Sequence, residues 1–415
     1  MIKKTRKYIR YLNTRFFEKK LTRKFRMIYF SRITINSATQ LMGLFLPIFL
    51  YQFFGFNLAL VIIYYLLLDI LYLNFIVLAC QKIMNKIGIK RSINISIIFG
   101  AAYYFIFFII NRYLIDDLFE FKLINLWWLF PIILCSLFFR LTYWIPFHTQ
   151  IAKFTDKHIR ASQLSLMEAS MMSLGAIMPI IAGIVLEYLG YSILFLFAMS
   201  IYLIAILPLS HLPKITETFT WSYKKTWQKL LSNKNRSSVL AYIGDGAESI
   251  IGIVIWPIFI WQLLEGNYFQ VGAISSLIII VTMTFQILSG DLIDKLPNKR
   301  KWIRYGSIFY SIGWILKALV GTAFHVFIFS TYHNLSRVFS RTSFDTLNYD
   351  IAADQGHYVD EYTVIRESAI LIGKIAMAII ILILVPFFAI RYLFILAALA
   401  SLLMSFLKHG EIFKD

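Results

Sequence analysis

The sequence predicts an all-α integral membrane protein, with twelve transmembrane helices forming two six-helix bundles related by a parallel pseudo-twofold repeat. Three observations predict it. Of 415 residues, 59% are hydrophobic and 15% charged, with a mean hydropathy of +0.70. Soluble domains run at about 45–50% apolar and about 25% charged, and a single soluble core cannot enclose this much apolar surface. A soluble enzyme, a disordered chain and a disulfide scaffold are thereby excluded. Second, the apolar residues fall in continuous runs of membrane-crossing length. Third, the two halves repeat each other.

A helix needs about 20 apolar residues to cross a bilayer. Twelve stretches qualify: 28–53, 57–80, 93–111, 125–148, 163–188, 191–212, 238–263, 269–290, 302–322, 324–347, 364–388 and 390–407. Charges intrude in the fourth, fifth, tenth and eleventh. The runs are continuous rather than alternating, which argues against a barrel. In lipid the backbone must satisfy its own hydrogen bonds, so helix is nearly forced.

Residues 1–26 form a basic segment with Glu18 as its one acid. The apolar stretch behind it is too long for a signal peptide and has no A-x-A pattern. Phe16, Phe17 and Phe25 among the charges fit an interfacial helix on anionic lipid; a solvated tail that only sets orientation fits equally well. The net charge of +19 points to membrane surface rather than nucleic acid in so apolar a chain. Residues 27–212 form the N-terminal bundle, 213–236 a linker, 237–408 the C-terminal bundle and 409–415 a tail. Lys82, Lys86, Lys90 and Arg91, the lysines of the linker, and Lys295, Lys299, Arg300, Lys301 and Arg304 occupy alternate loops. The intervening loops are nearly bare or, with Asp116, Asp117 and Glu120, acidic. The positive-inside rule then places both termini in the cytoplasm, in a multi-pass protein of the cell (inner) membrane. Cys80 and Cys135 read as inert buried thiols.

The repeat is legible in four places. Pro47-Ile-Phe-Leu-Tyr-Gln-Phe-Phe-Gly-Phe-Asn57 matches Pro257-Ile-Phe-Ile-Trp-Gln-Leu-Leu-Glu-Gly-Asn267 at five of eleven positions, 210 residues apart. The basic loops 81–91 and 290–300 correspond at an offset of 209. Arg140-x6-Phe147-x-Thr149 matches Arg337-x6-Phe344-x-Thr346, and Glu168-Ala-Ser matches Glu367-Ser-Ala. Six spans separate each match, so both halves cross the membrane in the same direction, with the pseudo-twofold axis along the membrane normal. A cleft between two such bundles suits alternating access.

The loop after the eighth span reads Gly290-Asp-Leu-Ile-Asp294-Lys295-Leu-Pro-Asn-Lys299-Arg300. It resembles the G-x-L-x-D-R-x-G-R-R/K signature of the major facilitator superfamily. Loop 81–91 resembles a worn copy, with Gln81 for the glycine and Asn85 for the acid, but keeping Gly88, Lys90 and Arg91. An acid and basic residues at helix ends can latch the cytoplasmic side. The N-terminal latch should therefore be weaker, or carried by hydrogen bonds alone. A helix-5 antiporter motif is only hinted at by Pro179-Ile-Ile-Ala182-Gly183. The resemblance spans about 27–408. It implies a secondary transporter of a small solute, with helices 1, 4, 7 and 10 lining the cavity; proton coupling, function as a monomer and anionic lipid near the basic N-terminus are expected alongside. A transport-inactive receptor or lipid-handling protein is the alternative. A membrane-embedded enzyme fits less well, because no large polar loop is present.

Charges inside spans are functional candidates by default. Here they are Arg32, Asp69, Arg140, Glu168, Asp245, Glu248, Lys317, Arg337, Arg341, Asp345, Glu367 and Lys374. Asp245 and Glu248 are three apart, hence on one helix face, and glycines 244, 246 and 252 flank them. A carboxylate held out of water exchanges its proton at modest cost, which suits proton coupling or cation binding. The repeat suggests one Arg–Glu pair per bundle, Arg140 with Glu168 and Arg337 with Glu367. These pairs read equally as scaffold. Gln40, Gln52 and Gln262, with Tyr143, Trp144, Trp256 and Trp261, could supply hydrogen bonds and stacking to a ligand, although Tyr and Trp also form interfacial belts. His148 and His333 are lone imidazoles. No cluster has metal-ligand spacing and no phosphate loop appears, so neither a metal nor another cofactor is expected.

Overall fold

The computed structural model describes residues 23–114, 127–155, 160–210, 219–294, 299–353 and 359–407. The first 22 residues of the basic segment, the acidic loop at 115–126, residues 211–218, Lys295 and the tail lie outside these. Every described regular element is a helix. The first half contains α1 (Arg23–Gly43), α2 (Phe45–Phe53), α3 (Leu58–Leu78), α4 (Ile89–Ile109), α5 (Leu129–Phe154) and α6 (Arg160–Ile204). The linker holds α7 (Tyr223–Leu230). The second half contains α8 (Arg236–Ile250), α9 (Trp256–Leu263), α10 (Tyr268–Asp294), α11 (Lys299–Ala318), α12 (Ala323–Ala353), α13 (Val359–Leu384) and α14 (Leu393–Leu403).

Among the described residues seven helices are long and apolar enough to cross a membrane, or eight if the bent pair α1–α2, with its 46° angle, is one span. The 44-residue apolar stretch Leu166–Leu209 is interrupted at Gly190, whose φ of 74° breaks the helix where the sequence predicts a bare loop. α11 and α12 are not among these; α11 opens on Lys299, Arg300 and Lys301, and α12 carries Arg337 and Arg341.

Two local features recur 210 residues apart. The chain bends at Leu44 between α1 and α2, and runs through a π turn at Ile251–Ile255 between α8 and α9. A π turn loosens a helix without ending it. The turns that follow are also alike. Gly55 and Phe56 have φ of 61°, and Glu265 and Gly266 have φ of 53° and 81°. Each pair is left-handed, with the glycine at the second position in one copy and the first in the other. Phe56 N donates to Tyr51 O at 2.8 Å, and Gly266 N to Trp261 O at 2.9 Å. Asn57 and Asn267 then cap the next helices, accepting from Leu60 N and Gln270 N.

Helix packing is organised around glycines. α8 lies against α13 and α14. A Cβ on Gly246 would run into the carbonyl of Ile370, one on Gly373 into that of Ile243, and one on Gly244 would lie 2.7 Å from the carbonyl of Ala400. Small residues let helix backbones approach closely in lipid. We expect Gly246→Leu to cost about 3 kcal/mol or more, at the upper end for overpacking, because the obstruction is backbone rather than a movable side chain. Thermal unfolding in detergent measures it; an unchanged Tm refutes it. Two further contacts join the halves: α3 packs on α13, and α6 on α10. At the second, Gly183 and Gly272 bring backbones together beside Tyr268 and Pro179.

Candidate functional site

α8 positions two carboxylates in the second half. Asp245 is 5% exposed and is ion-paired with Arg341 of α12. Glu248, 7% exposed, accepts a hydrogen bond from the Tyr310 hydroxyl of α11 at 2.7 Å. Arg337 lies one turn before Arg341 and so shares its face. Lys317, 4% exposed, sits over the rings of Trp256 and Trp314 at 4.3 and 4.2 Å. His333 stacks on Tyr310 at 4.5 Å and meets Trp314 edge-on at 4.6 Å. Buried charge is tolerated only where such partners compensate lost water.

The first half is simpler. Asp69 on α3, 3% exposed, takes a bond from Arg140 Nη1 on α5 at 2.7 Å. Arg32 on α1 donates to the Tyr143 hydroxyl at 3.2 Å and lies over Trp144 and Phe147 at 5.2 and 4.7 Å. His148 stacks on Trp144.

This geometry corrects the predicted pairs. Arg140 is paired with Asp69, and Glu168 is exposed. Glu367 lies 3.1 Å from its neighbour Arg366, and Arg337 bonds no carboxylate among the described residues. The prediction matched residues by depth along the helix axis; which way each points around that axis follows from packing. Gln40 is half-buried beside Gly175, and Lys374 is half-buried on α13. The side chain of Asp345 lies outside the described ones. Gln52 and Gln262 bridge the halves: Gln52 Nε2 donates to the Tyr268 hydroxyl and Gln262 Nε2 to the Tyr51 hydroxyl, each at 2.7 Å. Phe56 stacks over Trp261 beside them, 6.3 Å between ring centres. Tyr310, Arg366 and Glu361 are absent from the sequence-derived candidates. A tyrosine in an apolar run carries no signal of its own, and the two charges lie near a span end, where charge is ordinary.

At the linker end, the worn motif holds the linker itself. Asn85 donates to Phe219 O and accepts from Phe219 N, both at 2.9 Å, and Gln81 donates to Trp221 O. Between them Thr220 donates through N and Oγ1 to Glu361 Oε1 of α13, at 2.9 and 2.8 Å. The strap thus ties the end of α3 to α13 through hydrogen bonds. Gly88, φ 81°, ends the short helical turn before α4. Gly290, Asp294 and Arg300 lie on helices, with side chains outside the described ones. Each strap bond is worth about 0.5–1.5 kcal/mol. The double variant Asn85→Leu/Glu361→Leu should therefore free the strap and speed tryptic cleavage after Lys224 several-fold. Unchanged cleavage would remove the strap's role.

Buried polar groups enclosed among apolar helices of membrane-crossing length mark a polytopic membrane protein. The family model described as Major Facilitator Superfamily matches residues 118–329, just over half of the chain. The chain belongs to that superfamily, and is a membrane transporter rather than an enzyme. Among solved structures it is similar to a POT family transporter in complex with 5-aminolevulinic acid, at 12% identity and a TM-score of 0.63, covering 92% of this chain and 94% of that one. It is also similar to a D-xylose-proton symporter, at 10% identity and a TM-score of 0.66, covering 92% and 95%. At these identities the likeness is one of fold. No curated protein matches the sequence. Among the described residues no three His, Cys, Asp or Glu side chains group to hold a metal.

Proposed function

We propose that this protein is a secondary transporter that moves a small solute by alternating access and couples the movement to protons through Glu248. Twelve spans in two parallel six-helix repeats supply the mechanism. Helix packing supports the repeat: α4·α5 corresponds to α11·α12, α4·α6 to α11·α14, α3·α5 to α10·α12, and the seam α3·α13 to α10·α6. Interrupted helices at corresponding places in two repeats mark transport sites; the bend at Leu44 and the π turn after Glu248 are such a pair. Both termini and the strap then face the cytoplasm, and the Tyr51–Gln262 and Gln52–Tyr268 contacts close the opposite side.

The observation that carries the coupling role is the environment of Glu248. It is buried and held by a neutral hydroxyl, with no salt bridge to it among the described residues. Asp69 and Asp245 are instead locked by arginine. Such a carboxylate can take or lose a proton without breaking an ion pair. The test is a proteoliposome holding a trapped pH-sensitive dye, challenged with a panel of small solutes. Solute-dependent proton movement that the purified lipid alone lacks is expected. Solute flux without proton movement overturns the coupling; no flux of any solute leaves the receptor or lipid-handling alternative.

A further inference from the structure

The linker helix carries a charged face that neither the strap nor helix packing uses. Thr226 and Leu230 of α7 are buried, while Lys224, Lys225 and Gln228 are exposed. The outer face forms a groove of about 490 Å³, lined by Lys224, Lys225, Gln228, Lys229, Ser232 and Lys234. No acid lines it. Lys224 and Gln228, like Lys225 and Lys229, are four apart, so the groove follows one side of the helix. Ser222 caps α7 by accepting from Lys225 N at 3.2 Å, and the Lys225 ammonium lies 5.3 Å over the Trp221 ring. The excess of charge belongs to the whole linker. Residues 213–236 hold six basic side chains and one acid, Glu217, which lies outside the described residues.

Four ammonium groups around one groove repel one another, and an anion relieves that repulsion. Lysine binds phosphate as a point charge. The position of the groove says where that phosphate comes from. α7 packs on α3 and α13. It does so where the membrane-crossing runs Leu58–Ile87 and Asp360–Leu384 end or begin, beside the strap bonds to Gln81, Asn85 and Glu361. The groove therefore lies at the level of lipid headgroups. Its two ends are apolar: Tyr223 is 37% exposed and Leu231 75%. Apolar side chains beside lysines suit an interface, where they enter the acyl boundary while the ammonium groups stay among phosphates. A phosphate in solution would use the lysines and leave Leu231 in water.

We propose that α7 is a binding site for the phosphate headgroup of an anionic membrane lipid, with Lys224, Lys225 and Lys229 around the phosphate and Tyr223 and Leu231 resting in the lipid. α7 follows directly on the strap, so an occupied groove also holds Phe219–Trp221 against Gln81, Asn85 and Glu361. The site needs the membrane placement of the spans; it needs neither the solute nor the proton coupling.

The test is hydrogen exchange of the backbone amides of residues 222–234, read by mass spectrometry on the full chain in nanodiscs at constant ionic strength. Phosphatidylcholine discs are compared with discs in which about one lipid in five is phosphatidylglycerol. Phosphatidylcholine discs with added glycerol 3-phosphate or inorganic phosphate form the soluble arm. Phosphatidylglycerol should slow exchange about threefold or more, and the soluble phosphates should not. The triple variant Lys224→Gln/Lys225→Gln/Lys229→Gln should lose the slowing yet exchange like the parent in phosphatidylcholine, since glutamine and lysine have similar helix propensity. Lys224→Arg/Lys225→Arg/Lys229→Arg should keep it, and Leu231→Ser should weaken it. Equal slowing by the soluble phosphates overturns the lipid in favour of a soluble anion. Slowing that survives the glutamine triple, or none with phosphatidylglycerol, overturns the site. If the glutamine triple already exchanges faster in phosphatidylcholine, the arginine triple decides: retained slowing supports the site and lost slowing overturns it. None of these readings involves solute flux, so failure here leaves the transporter standing, and absence of flux in proteoliposomes leaves this site standing.

Discussion

Asp69→Leu alone is expected to destabilise the first bundle by about 3–5 kcal/mol, and Arg140→Met alone by a similar amount. Either change leaves a charge deep between α3, α4 and α5 with no partner. The Asp69 carboxylate is 3% exposed, and its bond to Arg140 is 2.7 Å long. The double variant Asp69→Leu/Arg140→Met should recover most of that loss, because two well-packed apolar side chains remove the desolvation cost of both ions. Thermal unfolding in detergent, taken as a double-mutant cycle, gives the coupling energy directly. A double variant as unstable as the singles would mean that Asp69 and Arg140 matter through other contacts. A double variant that is stable but dead in proteoliposomes would give the pair a part in transport beyond scaffolding.

This pair also shows where sequence reading stopped. The helical runs, the basic loops and the repeated Pro47–Asn57 and Pro257–Asn267 segments were legible, because each depends on composition along the chain. α11 and α12 were legible as the apolar runs 302–322 and 324–347. Position along a helix axis was legible too, since it scales with residue count at 1.5 Å per residue. Azimuth was not. Arg140 and Glu168 were matched by expected depth, but α5 turns Arg140 towards α3, and Asp69 receives it. The same limit concealed Tyr310, which becomes chemically notable only because α11 brings its hydroxyl to Glu248. The worn motif was legible as a weakened latch carried by hydrogen bonds. Its partner was not, because Asn85 bonds linker backbone, and backbone groups are the same at every residue.

Sequence repetition did not carry over into repeated chemistry. Arg140 and Arg337 correspond 197 residues apart. One is locked to Asp69; the other bonds no carboxylate among the described residues, while Arg341, one turn on, takes Asp245. At the position 210 residues before Glu248 stands Ala38, and 210 before Asp245 stands Ile35. The second half thus has two acids on its central helix where the first has none. On the proposed reading, a duplicated scaffold with one-sided chemistry lets one bundle hold the proton site while the other supplies bracing. That asymmetry also weighs against the acids being general packing devices, since the first bundle packs its own central helix with Ile35 and Ala38, both buried.

Glu248→Gln should abolish that one-sided chemistry while sparing the fold. Glutamine keeps an acceptor for the Tyr310 hydroxyl and nearly the same volume, so Tm should move little, whereas Glu248→Leu would strand that hydroxyl and cost about 1–3 kcal/mol. What glutamine cannot do is carry a proton. Positioned proton-transfer groups contribute about 10²–10⁴ in rate, so solute-driven proton movement in proteoliposomes should fall about 100-fold or more. Exchange of labelled for unlabelled solute across the same membrane, with no proton gradient, should persist, because it needs alternating access but no net proton release. Asp245→Asn serves as the contrast: it frees Arg341 from its ion pair, so its first effect should appear in Tm rather than in the ratio of protons to solute. If Glu248→Gln keeps proton-coupled flux while Asp245→Asn loses it with its fold intact, the two acids have exchanged roles and the coupling site lies at the Asp245–Arg341 pair.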